Sequence, residues 1–402
     1  MRTALLALLA MAFQGPGVRS VDLQVSVHLI DPGASETAAV VDVDRDGRLD
    51  IVSGAYWYQA PSWTRYQFRD VGFSSNYIDS FSLLPVDVDR DGYMDLADVS
   101  WFARRIAWWR NPGRAWGSSQ WQEATVNACC NVEFAVLADM NNDGQAREIV
   151  AQENGTGQAW YEVKDGGWVR HAVSDRTYGH GIGAGDVNGD GRTDILTPAG
   201  WLEAPADPRS AAWSLHNAWA DANLPILPAG QAAPPATAGA AAVDDRRVQL
   251  GFMHVVDVNG DGRNDVITAA GHDYGVFWFE QGESGWTRHV VDNAWSQGHA
   301  STLVDINGDG RPEFITGKRF MAHNGSDPGE REPLGLYWYE WRTTPTAKGS
   351  ARVEWMRHLI DYGGRVGTGM QIVTEDLDKD GDRDLVMGGK SGLFWIENRS
   401  PR

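Results

Sequence analysis

The chain has 402 residues, 19 tryptophans, 46 glycines and a formal net charge of −19 at pH 7. That charge argues against a nucleic-acid binder and against a protein drawn to anionic membranes. Length alone would allow two or three domains, but one repeat array runs through nearly all of it, so a single domain is expected.

Met1-Arg2 and the apolar run Ala4 to Phe13, with small residues at Ala10, Ala12, Gly15 and Gly17, read as a signal peptide over residues 1–17. The run is too short to span a membrane, and no other segment approaches that length. A secreted or periplasmic protein is expected.

From residue 42 onward an acidic hexapeptide recurs seven times, starting at Asp42, Asp87, Asp139, Asp186, Asp257, Asp305 and Asp376. Oxygen-bearing side chains fall at its first, third, fifth and ninth positions, with glycine sixth, where the chain turns sharply. Hard cations such as Ca²⁺ take six to eight oxygens, and short acidic loops supply them. The expected ligands are Asp42, Asp44, Asp46 and Asp50 in the first loop; Asp87, Asp89, Asp91 and Asp95 in the second; Asp139, Asn141, Asp143 and Glu148 in the third, which has one extra residue; Asp186, Asn188, Asp190 and Asp194 in the fourth; Asp257, Asn259, Asp261 and Asp265 in the fifth; Asp305, Asn307, Asp309 and Glu313 in the sixth; and Asp376, Asp378, Asp380 and Asp384 in the seventh. Up to seven Ca²⁺ would offset much of the acidity. A polar hairpin without metal is the plainer alternative.

Around each loop the same grammar repeats. An apolar strand enters the loop and a β-branched run leaves it. An aromatic strand follows, such as Val276-Phe-Trp-Phe-Glu280, and then a strand opening on tryptophan, such as Trp286 to Val291. Short strands bounded by glycine, proline and asparagine, four to a repeat, predict an all-β, seven-bladed β-propeller. Val25 to Ile30 matches Trp355 to Ile360, so the N-terminal strand is expected to complete the last blade and close the ring. The propeller spans residues 18–402, with a mobile Ala/Pro-rich insertion expected at 219–243. Cys129 and Cys130 are adjacent, with Cα atoms ~3.8 Å apart; they form either a vicinal disulfide or two free thiols.

With every acidic loop between a first and a second strand, the metal loops share one face and the irregular loops share the other. His28, His171, His216, His289 and His358 recur at one position of the fourth strand, which points to packing. His180 and His299 do not recur. Each lies six residues before its loop's first aspartate, at the central mouth, and Glu36 and Glu133 hold the same offset. Imidazoles and carboxylates around one funnel suit acid–base chemistry, a further catalytic metal, or simply a solvated channel. Lys318, Arg319, His323 and Asp327 share the long sixth-repeat loop, where cations suit a developing oxyanion or a plain surface ion pair. Tyr178, His272 and the pair Arg104-Arg105 are further candidates on that face. No serine-hydrolase, Walker or zincin motif is present.

The repeat D-V-N-G-D-G-R-x-D-[IV] resembles the FG-GAP (VCBS) repeat of integrin α-subunit propellers and bacterial exported proteins. The resemblance covers about residues 25 to 397 and implies Ca²⁺ ligation by the residues above, with the seventh-position carbonyl added. The tryptophan-rich third strands and Asn111-Pro-Gly113 look more like the propeller domain of aldos-2-ulose dehydratases, whose cupin-like domains are absent here. Two function classes follow. One binds carbohydrate, or dehydrates or eliminates an acidic or keto sugar, with His180 or His299 as base, Arg319 or Lys318 steadying the oxyanion, and His323, Tyr178 and Glu133 in support. The other is an integrin-like protein-binding module without chemistry. A monomer is expected.

Overall fold

The computed structural model describes residues 22–116, 120–155, 157–219, 248–345 and 351–400. The expected signal segment at 1–17 and the insertion at 219–243, apart from Trp219, lie outside the described residues.

The alternation of apolar and polar residues produces antiparallel four-stranded meanders. In the second repeat, Ser82–Val86, Asp95–Ser100, Arg105–Arg110 and Gln122–Asn127 pair in that order. Asp95–Ser100 is wholly buried, Arg105–Arg110 is half buried, and the outermost strand is largely exposed. Five sheets of this kind are separate. In the last of them, Val25–Asp31 pairs antiparallel with Gly392–Asn398, placing His28 opposite Trp395, as the sequence match predicts.

The expected seven blades are not seven separate sheets. The fourth and fifth repeats run together in one eight-stranded sheet, joined by parallel pairing of Ile182 with Phe252 and Gly183 with Met253. The reason is steric. A Cβ on Gly183 would lie 2.2 Å from the Met253 carbonyl oxygen, so only glycine lets the two inner strands come within hydrogen-bonding distance. A small additional hairpin pairs Phe73–Ser74 with Tyr77–Ile78.

Apolar clusters lie between neighbouring repeats. One joins Val41 and Trp57 of the first repeat to Leu83 and Trp109 of the second. Another joins Ile267 and Val276 of the fifth to Phe314 and Tyr337 of the sixth. A third joins Ala38 and Ile51 of the first to Val386 and Leu393 of the last. Trp57, Trp160 and Trp338 are wholly buried. Burying a large apolar side chain contributes about 1.5–3 kcal/mol, so these seams hold the repeats together.

The recurring histidines of the fourth strands pack as expected. His28, His171, His216, His289 and His358 each stack on a third-strand tryptophan, with ring centroids 3.8–4.4 Å apart. Four of them also bond the glutamate two residues after that tryptophan: Glu397, Glu162, Glu203 and Glu280, at 2.5–2.9 Å. Cys129 and Cys130 are joined to each other, which decides between the two forms. Among the described residues no helix is long and apolar enough to cross a membrane.

Candidate functional site: a histidine and carboxylate cluster at the central mouth

The acidic loops of neighbouring repeats lie side by side. The Arg45 guanidinium covers the Tyr93 ring, Asn264 Nδ2 donates to the Asp186 carbonyl, and Lys379 Nζ donates to the Gly47 carbonyl. Within a loop the first aspartate accepts backbone N–H bonds from the fifth and sixth residues, as Asp42 does from Asp46 and Gly47. The ninth-position carboxylate has a second duty that the sequence did not reveal. Asp50 accepts the N–H of Val43 at 3.1 Å and of Ala60 at 2.8 Å, tying the loop to the end of the third strand. Glu148, despite its extra residue, accepts from Met140 N at 3.2 Å and from Asn141 Nδ2 at 3.0 Å.

The donor set fits a hard cation. Donor atoms of Asp42, Asp44 and Asp50 lie within 4.8 Å of one another, as do those of Asp87, Asp89 and Asp95. Asp87 Oδ1 and Asp376 Oδ1 are covered and accept no hydrogen bond. Burial and neighbouring loop carboxylates push Asp50 up to about 7 and Glu313 up to about 8, an ionisation cost that a bound cation would remove.

The opposite end carries a cavity of about 690 Å³. Tyr77, Phe81, Trp101 and Phe102 supply its aromatic wall, and Gln152, Asn154, Gln249 and Asn324 its amides; Glu133, His180 and His272 also line it. The six-residue offset explains part of this. Applied to all seven repeats it gives Glu36, Phe81, Glu133, His180, Gly251, His299 and Met370, one residue per repeat. Six are at least nine-tenths covered or lack a side chain, and Phe134 packs among His180, Phe252 and His299 beneath them.

Polar side chains from distant repeats converge there. His180 Nε2 lies 3.1 Å from Glu133 Oε2 and 2.9 Å from His272 Nε2. His272 Nε2 lies 3.3 Å from His299 Nε2. The outer nitrogens of His180 and His272 are engaged, whereas His299 Nδ1 is covered and has no hydrogen-bond partner. His180 Nδ1 donates to the Leu250 carbonyl at 2.9 Å, and His272 Nδ1 is 2.7 Å from Asp327 Oδ2. His323 stacks on His272 with centroids 4.2 Å apart, and its Nδ1 lies 2.9 Å from the same Asp327.

Arg319 reaches in from the sixth repeat, 2% exposed, and bonds Glu36 Oε2 at 2.9 Å and Glu133 Oε1 at 3.0 Å. Burial raises Glu36 above the ordinary carboxylate range even against that guanidinium. Burial would also raise Glu133, but His180 and Arg319 together outweigh it and hold Glu133 well below that range. Burial, reinforced by the neighbouring imidazole of His180, lowers His272 to about 4. Burial, then the Arg319 charge, lowers His299 as well. Both rings are therefore neutral at pH 7.

The sequence candidates divide accordingly. Glu133, His180, His299 and Arg319 come together, and His323 joins them at the cavity edge. His299 is wholly buried and does not reach the cavity, so it cannot serve as a base toward a ligand there. Arg319 is committed to two carboxylates, which leaves it no free role on an oxyanion. Lys318 is turned away: its Nζ donates to Ser296 Oγ at 3.0 Å and to the Gly329 carbonyl, bracing the loop. The Tyr178 hydroxyl meets Ser174 Oγ at 2.7 Å and is not part of the lining. Arg105 pairs with Glu123. His272 stands at the centre of the cluster although it has no counterpart in other repeats. Its place in a non-repeating loop between second and third strands was the available signal.

Residues 257–316, from the fifth acidic loop through the strand that follows the sixth, match the family model described as FG-GAP-like repeat. The chain is a β-propeller that carries FG-GAP-like repeat sequence. No curated protein matches it in sequence. Among solved structures, BBS1N in complex with ARL6DN, soaked with mercury, is similar to this propeller at a TM-score of 0.53 and 10% identity, over 96% of this chain and 99% of that one. The same complex soaked with lead gives 0.52 at 10% identity with the same coverage. A structure labelled a gluconolactonase gives 0.37 at 9% identity, over 94% of each chain. At these identities the likeness is one of fold.

Proposed function

We propose that this FG-GAP propeller is an exported, Ca²⁺-stapled protein that binds and acts on a carbohydrate in the mouth cavity, as a dehydratase or lyase of an acidic or keto sugar. The carrying observation is the cavity itself. Four aromatic side chains line it together with amides suited to hydroxyl groups and with Glu133, His180 and His272 of the imidazole–carboxylate cluster. Sugar rings stack on aromatic faces and are oriented by such amides. His323 is the histidine best set to accept a proton. Asp327 holds its Nδ1, which leaves Nε2 toward the cavity. His323 would take the proton beside a carbonyl or carboxylate, the double bond would form as the β C–O bond breaks, and the imidazolium would return that proton to the departing hydroxide, which leaves as water.

In this reading the ring has seven blades, two of them fused in the eight-stranded sheet. The cluster shared by the first and last repeats and the Lys379–Gly47 contact support closure. Ca²⁺ would be held by the acidic loops, stabilising the fold rather than taking part in the reaction. The second reading is a protein-binding module, for which the propeller of the BBS1N complex is an example of the fold in use.

The test is a screen of uronic, keto- and anhydro-sugars for binding and for an unsaturated product. His323→Asn should lower turnover at least about 100-fold with binding kept. A sugar-inert protein that captures a protein partner through the same face would establish the second reading instead.

A further inference from the structure

We infer that His180, His272, His299 and Glu133 form a binding site for one divalent first-row transition metal, Zn²⁺ by preference, at the floor of the mouth cavity and separate from the acidic loops. The inference goes beyond the carbohydrate reading and does not depend on it.

The first argument is proton placement. His180 Nδ1 faces a carbonyl oxygen, which can only accept, so Nδ1 carries a proton and Nε2 is the nitrogen available to a metal. His272 Nδ1 faces the Asp327 carboxylate, which fixes the same tautomer. When the rings carry no second proton both Nε2 atoms offer lone pairs, and they lie 2.9 Å apart. His272 Nε2 also faces His299 Nε2 at 3.3 Å, and His180 Nε2 faces a carboxylate oxygen at 3.1 Å. Electron-rich atoms converging on one point repel unless a proton or a metal cation lies among them, and a metal ion can be shared by all four at once.

The second argument is dimension. Four ligands at about 2.0–2.1 Å from a tetrahedral zinc lie about 3.3–3.4 Å from one another. The separations of 2.9, 3.1 and 3.3 Å lie at or slightly below that edge, and all four donors fall within 4.8 Å of one another. Three imidazoles and one carboxylate suit Zn²⁺, and also Co²⁺ or Fe²⁺, rather than Ca²⁺.

The third is the supporting shell. Metal-binding histidines give their other N–H to a carbonyl or carboxylate; Leu250 O and Asp327 take those places for His180 and His272, while His299 Nδ1 has no such partner. Glu133 turns one oxygen to the cluster while Arg319 Nη1 holds the other at 3.0 Å. Arg319 is thus a positioning residue. Glu133, His180 and His272 line the cavity, so a metal here would meet a ligand entering from the mouth.

The test uses the full chain with Ca²⁺ in excess to fill the acidic loops. After chelation and dialysis, titration with Co²⁺ should give visible absorption of a four-coordinate site saturating at one equivalent, and Zn²⁺ should displace it. His180→Ala and His272→Ala should each lower Zn²⁺ affinity at least about 100-fold, whereas Asp186→Asn in the fourth acidic loop should retain one Zn²⁺ per chain. Because these side chains are partly structural, Glu133→Gln is measured beside them, with circular dichroism confirming the fold; it should weaken the metal about 10–100-fold. Absence of a one-equivalent Co²⁺ signal in the wild-type protein, or full zinc retention by the folded histidine variants, would overturn the proposal. No sugar enters the experiment, so its failure leaves the carbohydrate reading to its own test.

Discussion

Arg319→Met is the sharpest probe of the buried network. In the folded chain this guanidinium, 2% exposed, is shared by Glu36, 1% exposed, and Glu133, 7% exposed. Methionine keeps the volume and removes the charge, leaving two covered carboxylates to face each other. Breaking one buried pair costs about 3–5 kcal/mol, and with two partners stranded the upper figure applies. An unfolding entropy of about 2.1 cal/mol/K per residue gives about 0.8 kcal/mol/K for a chain of this length, so 5 kcal/mol lowers Tm by about 6 °C if the ring melts as a unit. The loss should depend on pH. Burial already holds Glu36 above its ordinary value, and removing Arg319 raises it further. A carboxyl raised in the folded state takes up protons there that the unfolded chain does not. The penalty is therefore largest at pH 8 and shrinks as pH falls toward about 4.5. Scanning calorimetry at pH 8 and pH 5, on Arg319→Met and on Arg319→Met with Glu36→Gln, checks both points. The second substitution should recover part of the loss. A Tm within 1 °C of wild type at pH 8, or a further fall on adding Glu36→Gln, would refute the reasoning.

Two further outcomes concern the repeats. Chelation should lower Tm, and in the metal-free protein stability should fall as pH rises from about 4 to about 8, because Asp50 and Glu313 are pushed up to about 7 and about 8 and favour the protonated folded state. Millimolar Ca²⁺ should reverse this, by about 2.7 kcal/mol per site at a hundredfold excess over Kd; calorimetry with and without Ca²⁺ decides, and a chelator-insensitive Tm would rule out the metal loops. Gly183→Val should cost about 1–3 kcal/mol or more by forcing apart the two inner strands that pair there, while Gly167→Ala, whose added carbon meets its nearest atom at 3.9 Å, should stay within 1 kcal/mol; denaturant melts compare them.

Local spacing carried much of this molecule. The strands, the acidic loops, the stacking role of the repeated histidines and the pairing of Val25–Asp31 with the last sheet follow from short patterns whose residues are near neighbours or repeat copies. The six-residue offset even selected Glu36, Glu133, His180 and His299, because equivalent positions in a ring of repeats face one axis. Only the tertiary structure decided what meets at that axis. Arg319 lies 283 residues from Glu36, and His180 lies 92 from His272. His272 belongs to an irregular loop that no repeat alignment can register. Nor could sequence show that Arg319 and Lys318 are already engaged, or that glycine at 183 would let two repeats join into one sheet. Periodicity encodes the backbone of each repeat, whereas the curvature of the array and the irregular loops choose which distant side chains share a few ångströms of space.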